Sequence, residues 1–342
     1  MRSNDLASKF QPLSLELERH TQAYPVLSLP NEIVSEIFLN FLPTYPNCAP
    51  LLGLHSPLAL CRICRQFRAV AFSTPKLWRA IKIDMGATKY ELELFQTWLA
   101  RSGDCPLSLS LDFELLEGDS FPKHYLQAAV LHCKRWEHVK ICMPFEYLDV
   151  IQGEMPLLRN LTFGPAAGAP ASPSETFPML ELFDHAPQLE NVILTRYFFK
   201  SLFRLPWLQL THIDGPCLYA RECAEILRDA TNLAHATFGV CYTSNTIPIP
   251  VVPVHHHLRY LILSLSDGSD YVHLRELLDN LTLPALCALQ VYEPGITLDI
   301  LKEFISRSRC NLENLRVEDS EEEEMTYRAA LPFIRDITLN PW

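Results

Sequence analysis

Residues 29–41 of this chain read LPNEIVSEIFLNF, and their spacing predicts a short amphipathic helix. The apolar side chains that would share one stripe of this helix are Ile33, Val34, Ile37, Phe38 and Phe41. Pro30 falls in the first turn, where its missing N–H group costs nothing. Glu32 complements the positive end of the helix dipole. Both residues therefore agree with a helix that starts here.

A second helix is predicted further along, where residues 60–71 read LCRICRQFRAVA. Ser56 and Pro57 provide its start signal. Its apolar stripe would contain Leu60, Ile63, Cys64, Phe67 and Val70. The segment PKLW follows at residues 75–78. Because two short helices cannot bury enough apolar surface alone, they must pack on the rest of the chain or on another protein.

The order of these patterns between residues 27 and 83 resembles the F-box, the segment that binds the Skp adaptor of cullin-type ubiquitin ligases. The shared patterns are Leu-Pro-x-Glu-Ile, Ile-Phe, Ile-Cys-Arg-x-Phe-Arg and Pro-x-Leu-Trp. Phe67 stands where the family usually has Trp, and residues 44–56 are longer and richer in proline than a compact F-box needs. The resemblance implies an adaptor-binding set that consists of Leu29, Pro30, Ile33, Ile37, Ile63 and Trp78.

The composition of the 342-residue chain is that of a folded protein, with 48% apolar and 20% charged residues. A net charge of −11 argues against a general nucleic-acid or anionic-membrane binder, because both favour basic surfaces. The eleven cysteines, without a recognisable signal peptide or membrane-spanning segment, predict free thiols in a reducing compartment. We therefore expect a cytoplasmic or nuclear protein.

From residue 136 onward one pattern recurs nine times: an apolar anchor, an apolar residue three positions later and, in most copies, a third apolar residue two positions after that. The anchors are Trp136, Leu158, Leu189, Leu210, Leu233, Leu258, Leu286, Leu312 and Ile334. Steps of 21 to 31 residues separate them, which brackets the length of a leucine-rich repeat and is too irregular for a helical-hairpin repeat. Trp78, Ile81 and Ile83 fit the same frame. Each copy predicts one strand.

The segments between these strands fit helices. They are residues 125–133, 145–152, 179–185, 219–230, 272–280 and 298–308. Upstream, residues 89–103 predict a helix that ends at Gly103, and residues 106–113 alternate as a strand does. Residues 164–174, rich in proline, alanine and glycine, predict an exposed loop.

The predicted fold class is therefore mixed α/β: a small all-α F-box followed by an irregular, right-handed, leucine-rich-repeat-like β/α solenoid with a parallel sheet. The predicted domains are a polar, partly disordered tail over residues 1–24, the F-box over residues 25–83 and the solenoid over residues 84–342.

No pattern in the sequence predicts a catalytic site, a cofactor or a metal. Cys61 and Cys64 have the spacing of a metal or redox pair, but no second pair accompanies them and Cys64 belongs to a helix stripe. Residues 255–257 are three histidines, yet adjacent strand residues point to opposite faces and cannot close one site. The four glutamates at residues 321–324 fit a solvated helix start, with a contact to a basic partner as the alternative.

The resemblance implies the function of a substrate-recognition subunit. The F-box would bind the Skp adaptor, and the solenoid would present a protein substrate to the ubiquitin-transfer machinery. Such a subunit is not an enzyme, because it contributes positioning and no chemistry. The alternative is a binding scaffold that does not lead to ubiquitination.

The substrate surface is predicted from the strand pattern. Side chains two and four residues after each anchor point away from the core, because side chains alternate along a strand. In a curved parallel array they form a continuous row on the face that such arrays use for binding. Within and beside this row, Tyr260, Tyr292 and Arg316 are predicted to form the substrate-binding patch, since tyrosine and arginine are enriched at binding hot spots. The loop at 164–174 and the acidic run at 321–324 are the alternative surfaces.

Overall fold

The computed structural model describes residues 25–83, 89–113, 121–165, 179–195, 198–241, 248–266, 272–320 and 322–340. Its fold is mixed α/β with a parallel sheet, as predicted, and this sheet is large and open and contains twelve strands. The chain divides into two compact units, residues 1–83 with 89–108, and residues 84–88 with 109–342. The predicted tail at 1–24, most of the predicted loop at 164–174 and Glu321 lie outside the described residues.

Fourteen strands are seen in these residues. They are β1 (Ala49–Pro50), β2 (Ala80–Ile83), β3 (Leu107–Asp112), β4 (Trp136–Met143), β5 (Asn160–Pro165), β6 (Leu180–Glu181), β7 (Asn191–Leu194), β8 (Phe203–Arg204), β9 (His212–Tyr219), β10 (His235–Cys241), β11 (Tyr260–Leu265), β12 (Ala288–Tyr292), β13 (Asn314–Glu318) and β14 (Asp336–Asn340). The large sheet keeps the order of the chain, and only β6 and β8 leave it to pair with each other.

The same residues contain nine α-helices. They are α1 (Asn31–Phe41), α2 (Pro57–Ile63), α3 (Arg65–Phe72), α4 (Lys89–Arg101), α5 (Phe121–Val130), α6 (Ala220–Asp229), α7 (Val272–Asp279), α8 (Leu298–Ser308) and α9 (Glu324–Ala330). Short 3-10 turns, such as Phe145–Val150, supplement them. Within the described part of the chain, no helix combines the length and the apolar composition that crossing a bilayer requires.

Trp78 lies at the centre of the first unit. Its side chain is fully buried, and its indole N–H donates a hydrogen bond to the carbonyl oxygen of Ala71 at 2.8 Å. The ring of Trp98 meets it edge to face at 5.1 Å between centroids. Phe38 and Phe67 make a similar contact at 5.0 Å, which joins α1 to α3. The helices of this unit are therefore held together by buried aromatic contacts.

The second predicted helix is interrupted at Cys64, so the prediction of one continuous stripe was wrong. Cys64 has extended backbone angles, φ −154° and ψ 172°, and separates α2 from α3. Its sulfur accepts the backbone N–H of Phe67 at 3.4 Å and thereby caps α3. The break leaves Ile63 on the surface, 63% exposed, instead of in the buried stripe.

In the second unit, equivalent positions of the sequence repeats are paired with each other across neighbouring strands of the sheet. The anchors from Trp136 to Leu312 are at most 1% exposed, and Ile334 is 4% exposed. The residues three positions after the anchors are direct partners across the strands. In strand order they are Val139, Leu161, Val192, Ile213, Ala236, Leu261, Leu289, Leu315 and Ile337. One face of the sheet is therefore an apolar core.

One segment between strands does not form the predicted helix. Residues 179–185 contain β6, and its Glu181 forms an ion pair at 2.8 Å with Arg204 of β8. Phe183 then has φ 62° and packs edge to face on Phe163 at 5.3 Å. Burial of these aromatic side chains outweighs the local helical spacing, since intrinsic propensity is a weak preference that packing overrides.

The expectation that all eleven cysteines are free was also wrong. Cys217 and Cys241 form a disulfide between β9 and β10, with their Cα atoms 5.6 Å apart. The two strands are neighbours in the sheet, and their pairing brings these side chains together. The other nine cysteines are free thiols.

Candidate functional site

Helix α1 divides its apolar side chains between two environments. Val34 and Phe38 are 0% and 2% exposed, whereas Ile33, Ile37 and Phe41 are 48%, 46% and 42% exposed. Because the exposed three recur at four-residue steps, they lie side by side on one surface, which we call the apolar row. The stripe predicted from the sequence is thus half core and half surface.

The six residues of the adaptor-binding set are divided in the same way. On the surface of the first unit lie half-buried Leu29, exposed Pro30, Ile33 and Ile37 of the apolar row, and exposed Ile63. The carbonyl oxygen of Pro30 accepts two backbone N–H groups of the first turn, at 3.0 and 3.1 Å, and so begins α1. Trp78 is fully buried, so it supports this surface from within and is not part of it.

The loop before α2 adds exposed apolar side chains that the sequence prediction missed. Leu52 and Leu54 are 52% and 80% exposed. The ring of His55 lies 6.0 Å from that of Phe41, which places the loop beside one end of the apolar row. Buried Ser56 holds the loop, since its hydroxyl donates to a backbone carbonyl at 2.8 Å and accepts a backbone N–H at 3.2 Å. Leu52 and Leu54, two apolar residues in a loop, were the sequence feature that could have indicated this surface.

On the exposed face of the sheet in the second unit, three rings stack across neighbouring strands. His212, His235 and Tyr260 are register partners on β9, β10 and β11. Their centroids are separated by 4.2 and 4.3 Å, and their planes differ by 11° and 7°. We call them the ring column. Each ring occupies the outward-facing position two residues after its anchor.

Earlier strands of the same face carry an amide ladder. The side-chain amide of Asn191 donates to the side-chain oxygen of Asn160 at 2.7 Å. The amide nitrogen of Asn160 in turn lies 2.7 Å from Nδ1 of His138. These polar groups satisfy one another across the strands, so this part of the face has fewer groups to offer a partner.

A cleft of about 310 Å³ opens on the later strands of this face, from β10 to β14. Tyr260 and Arg316 line it, whereas Tyr292 does not and lies half-buried at the end of β12. The guanidinium of Arg316 is 3.6 Å from a carboxylate oxygen of Glu318, and Gln290 donates to the same oxygen at 2.8 Å. The structure therefore brings together two of the three residues predicted for the substrate patch.

The surroundings of His235, the middle member of the ring column, favour its neutral form. Partial burial lowers the pKa of His235, and the nearby His212 and Arg259 lower it further. A neutral imidazole stacks on another ring without the repulsion that two imidazolium ions would add. The lowered pKa of His235 therefore favours the stacked arrangement of the ring column.

The histidine triplet makes structural contacts. His255 is 3% exposed, and its Nδ1 accepts the backbone N–H of Leu258 at 3.2 Å. Its Nε2 therefore carries the proton and lies 3.1 Å from the carbonyl oxygen of Ala230. Burial lowers the pKa of His255. Among the described residues, no three His, Cys, Asp or Glu side chains are arranged to hold a metal ion.

Comparison of the chain with models of known protein families gave no match, and comparison with curated proteins found no relative.

Proposed function

We propose that this chain is the substrate-recognition subunit of a Skp-cullin-F-box ubiquitin ligase. In this proposal residues 25–83 are an F-box that binds the Skp adaptor. Residues 84–342 are an irregular, leucine-rich-repeat-like solenoid that binds a protein substrate. The observation that carries the proposal is the apolar row of α1, which leaves Ile33, Ile37 and Phe41 exposed beside buried Val34 and Phe38.

The apolar row is a surface that a protein partner would stabilise. Full burial of an isoleucine or phenylalanine side chain contributes about 1.5–3 kcal/mol. Since the three row residues are 42–48% exposed, a partner that covers them would gain roughly 1 kcal/mol from each. Leu52 and Leu54, beside the end of the row, would enlarge the same contact.

The second unit supports the other half of the proposal through its exposed sheet face. Tyr260 is 44% exposed, and it shares a cleft with Arg316. Tyrosine and arginine dominate the residues whose truncation costs most binding energy at protein interfaces. A substrate held there would be kept at high effective concentration near the ubiquitin-conjugating enzyme, so the role of this chain is positioning.

The double variant Leu29→Ala/Pro30→Ala tests adaptor binding. We expect it to weaken the binding of purified Skp adaptor by about 2–4 kcal/mol, or about 30- to 1000-fold in Kd by calorimetry. The reason is that both residues lie at the start of α1, next to the apolar row.

Two controls accompany this measurement. Leu131→Ala removes a leucine that is 84% exposed in the second unit, and adaptor binding should not change. Thermal unfolding of the double variant shows whether α1 is intact, since Pro30 also begins that helix. Adaptor binding equal to that of the wild type would rule out the F-box as a functional assignment.

A binding scaffold that does not lead to ubiquitination is the rival function, and the cleft on the sheet face supports it as well. A pull-down with the Skp adaptor, followed by identification of the co-purifying proteins, separates the two. Recovery of adaptor and cullin together with a further protein supports the ligase subunit. Recovery of a partner by the chain without any adaptor supports the scaffold.

A further inference from the structure

The ring column ends in a gap. Tyr260 is covered on one face by His235, with the two rings within 7° of parallel. Its other face is therefore turned along the row toward β12, where the register partner is Ala288. The methyl group of an alanine is too short to cover a tyrosine ring, so the column stops above Ala288.

The gap has the thickness of one aromatic ring. The row continues past Ala288 to Asn314 on β13. Two steps between strands separate Tyr260 from Asn314, which is about 9.5 Å at the usual strand spacing. Rings within the column stack at 4.2–4.3 Å. One further ring can therefore lie between Tyr260 and Asn314 with contact on both sides.

The lining of the cleft suits an uncharged ring with a hydrogen-bond donor at its edge. Arg316 and Asp336 contribute one positive and one negative charge to the lining. Glu318, 3.6 Å from Arg316, further offsets the positive charge, so the cleft does not favour a phosphate group. Asn314 and Asp336 line the side of the cleft farther from Tyr260 and carry acceptor oxygens, and the Asp336 carboxylate also lies 3.9 Å from the guanidinium of Arg335. A tyrosine O–H or a tryptophan N–H could donate to them.

We propose that this gap, bounded by Tyr260, Ala288 and Asn314, is a slot for the side chain of a tyrosine or tryptophan in a partner protein. The ring stacks on the open face of Tyr260 and extends the ring column by one member. This inference deepens the proposed function, because it names the group that the sheet face recognises in a substrate.

Short peptides test the slot on the full chain. The probes are acetyl-Gly-Tyr-Gly-amide and acetyl-Gly-Trp-Gly-amide, with acetyl-Gly-Leu-Gly-amide as the matched control, observed by saturation-transfer NMR. We expect transfer to the ring protons of the two aromatic peptides. The leucine peptide should bind about 3- to 10-fold more weakly, the range that aromatic pairing adds beyond buried area.

Two variants locate the binding. Ala288→Tyr fills the slot with a ring of the chain itself, so peptide binding should be lost while the thermal midpoint stays equal or rises. Tyr260→Leu keeps bulk but removes the stacking face, and it should weaken binding about 3- to 10-fold. Thr162→Tyr is the control for both, because it introduces a ring on the same sheet face at β5, away from the cleft. Peptide binding should not change in this control.

The proposal is overturned if leucine and tyrosine peptides bind equally, or if a folded Ala288→Tyr protein still binds the aromatic peptides. It is also overturned if adenosine monophosphate binds more tightly than the tryptophan peptide, since the slot would then select a nucleotide. These measurements need no adaptor. Failure of adaptor binding would therefore count against the proposed ligase function and leave the slot supported.

Discussion

Glu222 lies in the first turn of α6 and is 7% exposed. One of its carboxylate oxygens accepts the backbone N–H of Lys200 at 2.7 Å. Burial nevertheless raises the pKa of Glu222 from 4.5 to about 6, because the loss of water disfavours the charged form more than this hydrogen bond favours it. At neutral pH the folded protein therefore holds a carboxylate that would be better solvated in the unfolded chain.

We expect Glu222→Gln to raise the free energy of unfolding by about 2 kcal/mol at pH 7.5 and to leave it nearly unchanged at pH 4. A raised carboxyl pKa favours the fold below pH 4.5, and this contribution is lost as the pH rises through 6. Glutamine is neutral at both pH values, so the variant does not lose this stability as the pH rises. Urea denaturation at both pH values measures the effect, with Glu303→Gln as the control, because Glu303 is an exposed side chain of α8. An equal gain at both pH values would refute this account of Glu222.

Among the elements, α1 combines a core face and a surface face within eleven residues. Phe38 and Phe41 have the same side chain and lie three positions apart, yet they are 2% and 42% exposed. Phe38 meets Phe67 of α3 edge to face. The helix therefore contributes to stability through one face and leaves the other for a partner.

We expect Phe38→Ala to lower the free energy of unfolding by about 3–5 kcal/mol, because it opens a cavity against Phe67. Phe41→Ala should lower it by about 1 kcal/mol or less, because its side chain is already half in water. Chemical denaturation of the two variants makes the comparison. Similar losses would mean that the two faces of α1 do not differ as the structure indicates.

The first unit as a whole extends beyond residue 83. Its second segment, residues 89–108, contains Trp98, which packs on Trp78. The guanidinium of Arg101 lies 3.7 Å from the centre of the Phe72 ring and 4.8 Å from that of Trp78. These contacts are internal to the unit, so the apolar surface around Trp78 depends on both segments.

Fragments test this organisation. We expect a fragment of residues 25–108 to unfold cooperatively, as followed by tryptophan fluorescence. A fragment of residues 25–83 should aggregate, because Trp78 becomes exposed when Trp98 and Arg101 are absent. Deletion of residues 1–83 should likewise make the remainder aggregate, since it uncovers the apolar side of α4. A folded, monomeric 25–83 fragment, or a well-behaved protein that begins at residue 84, would show that these segments are independent.

The amino-acid sequence by itself determined the nine strands of the large sheet that follow the anchors and the side chains that face outward from them. A strand repeats every two residues, so the two-residue step from Leu261 to Leu263 already defines a buried face and places Tyr260 on the opposite one. The same local logic predicted α8 at residues 298–308 and the helix end at Gly103, where φ is 54°.

Only the tertiary structure decided which half of the α1 stripe is exposed, why residues 179–185 are not helical and how Cys217 meets Cys241. It also decided that His212, His235 and Tyr260 stack and that Ala288 leaves a gap beside them. The reason is physical. Apolar periodicity along the chain specifies the type of each helix or strand and the face of it on which each residue lies. A contact between residues 20 or more positions apart depends on the register between elements, which is set by the packing of all of them together.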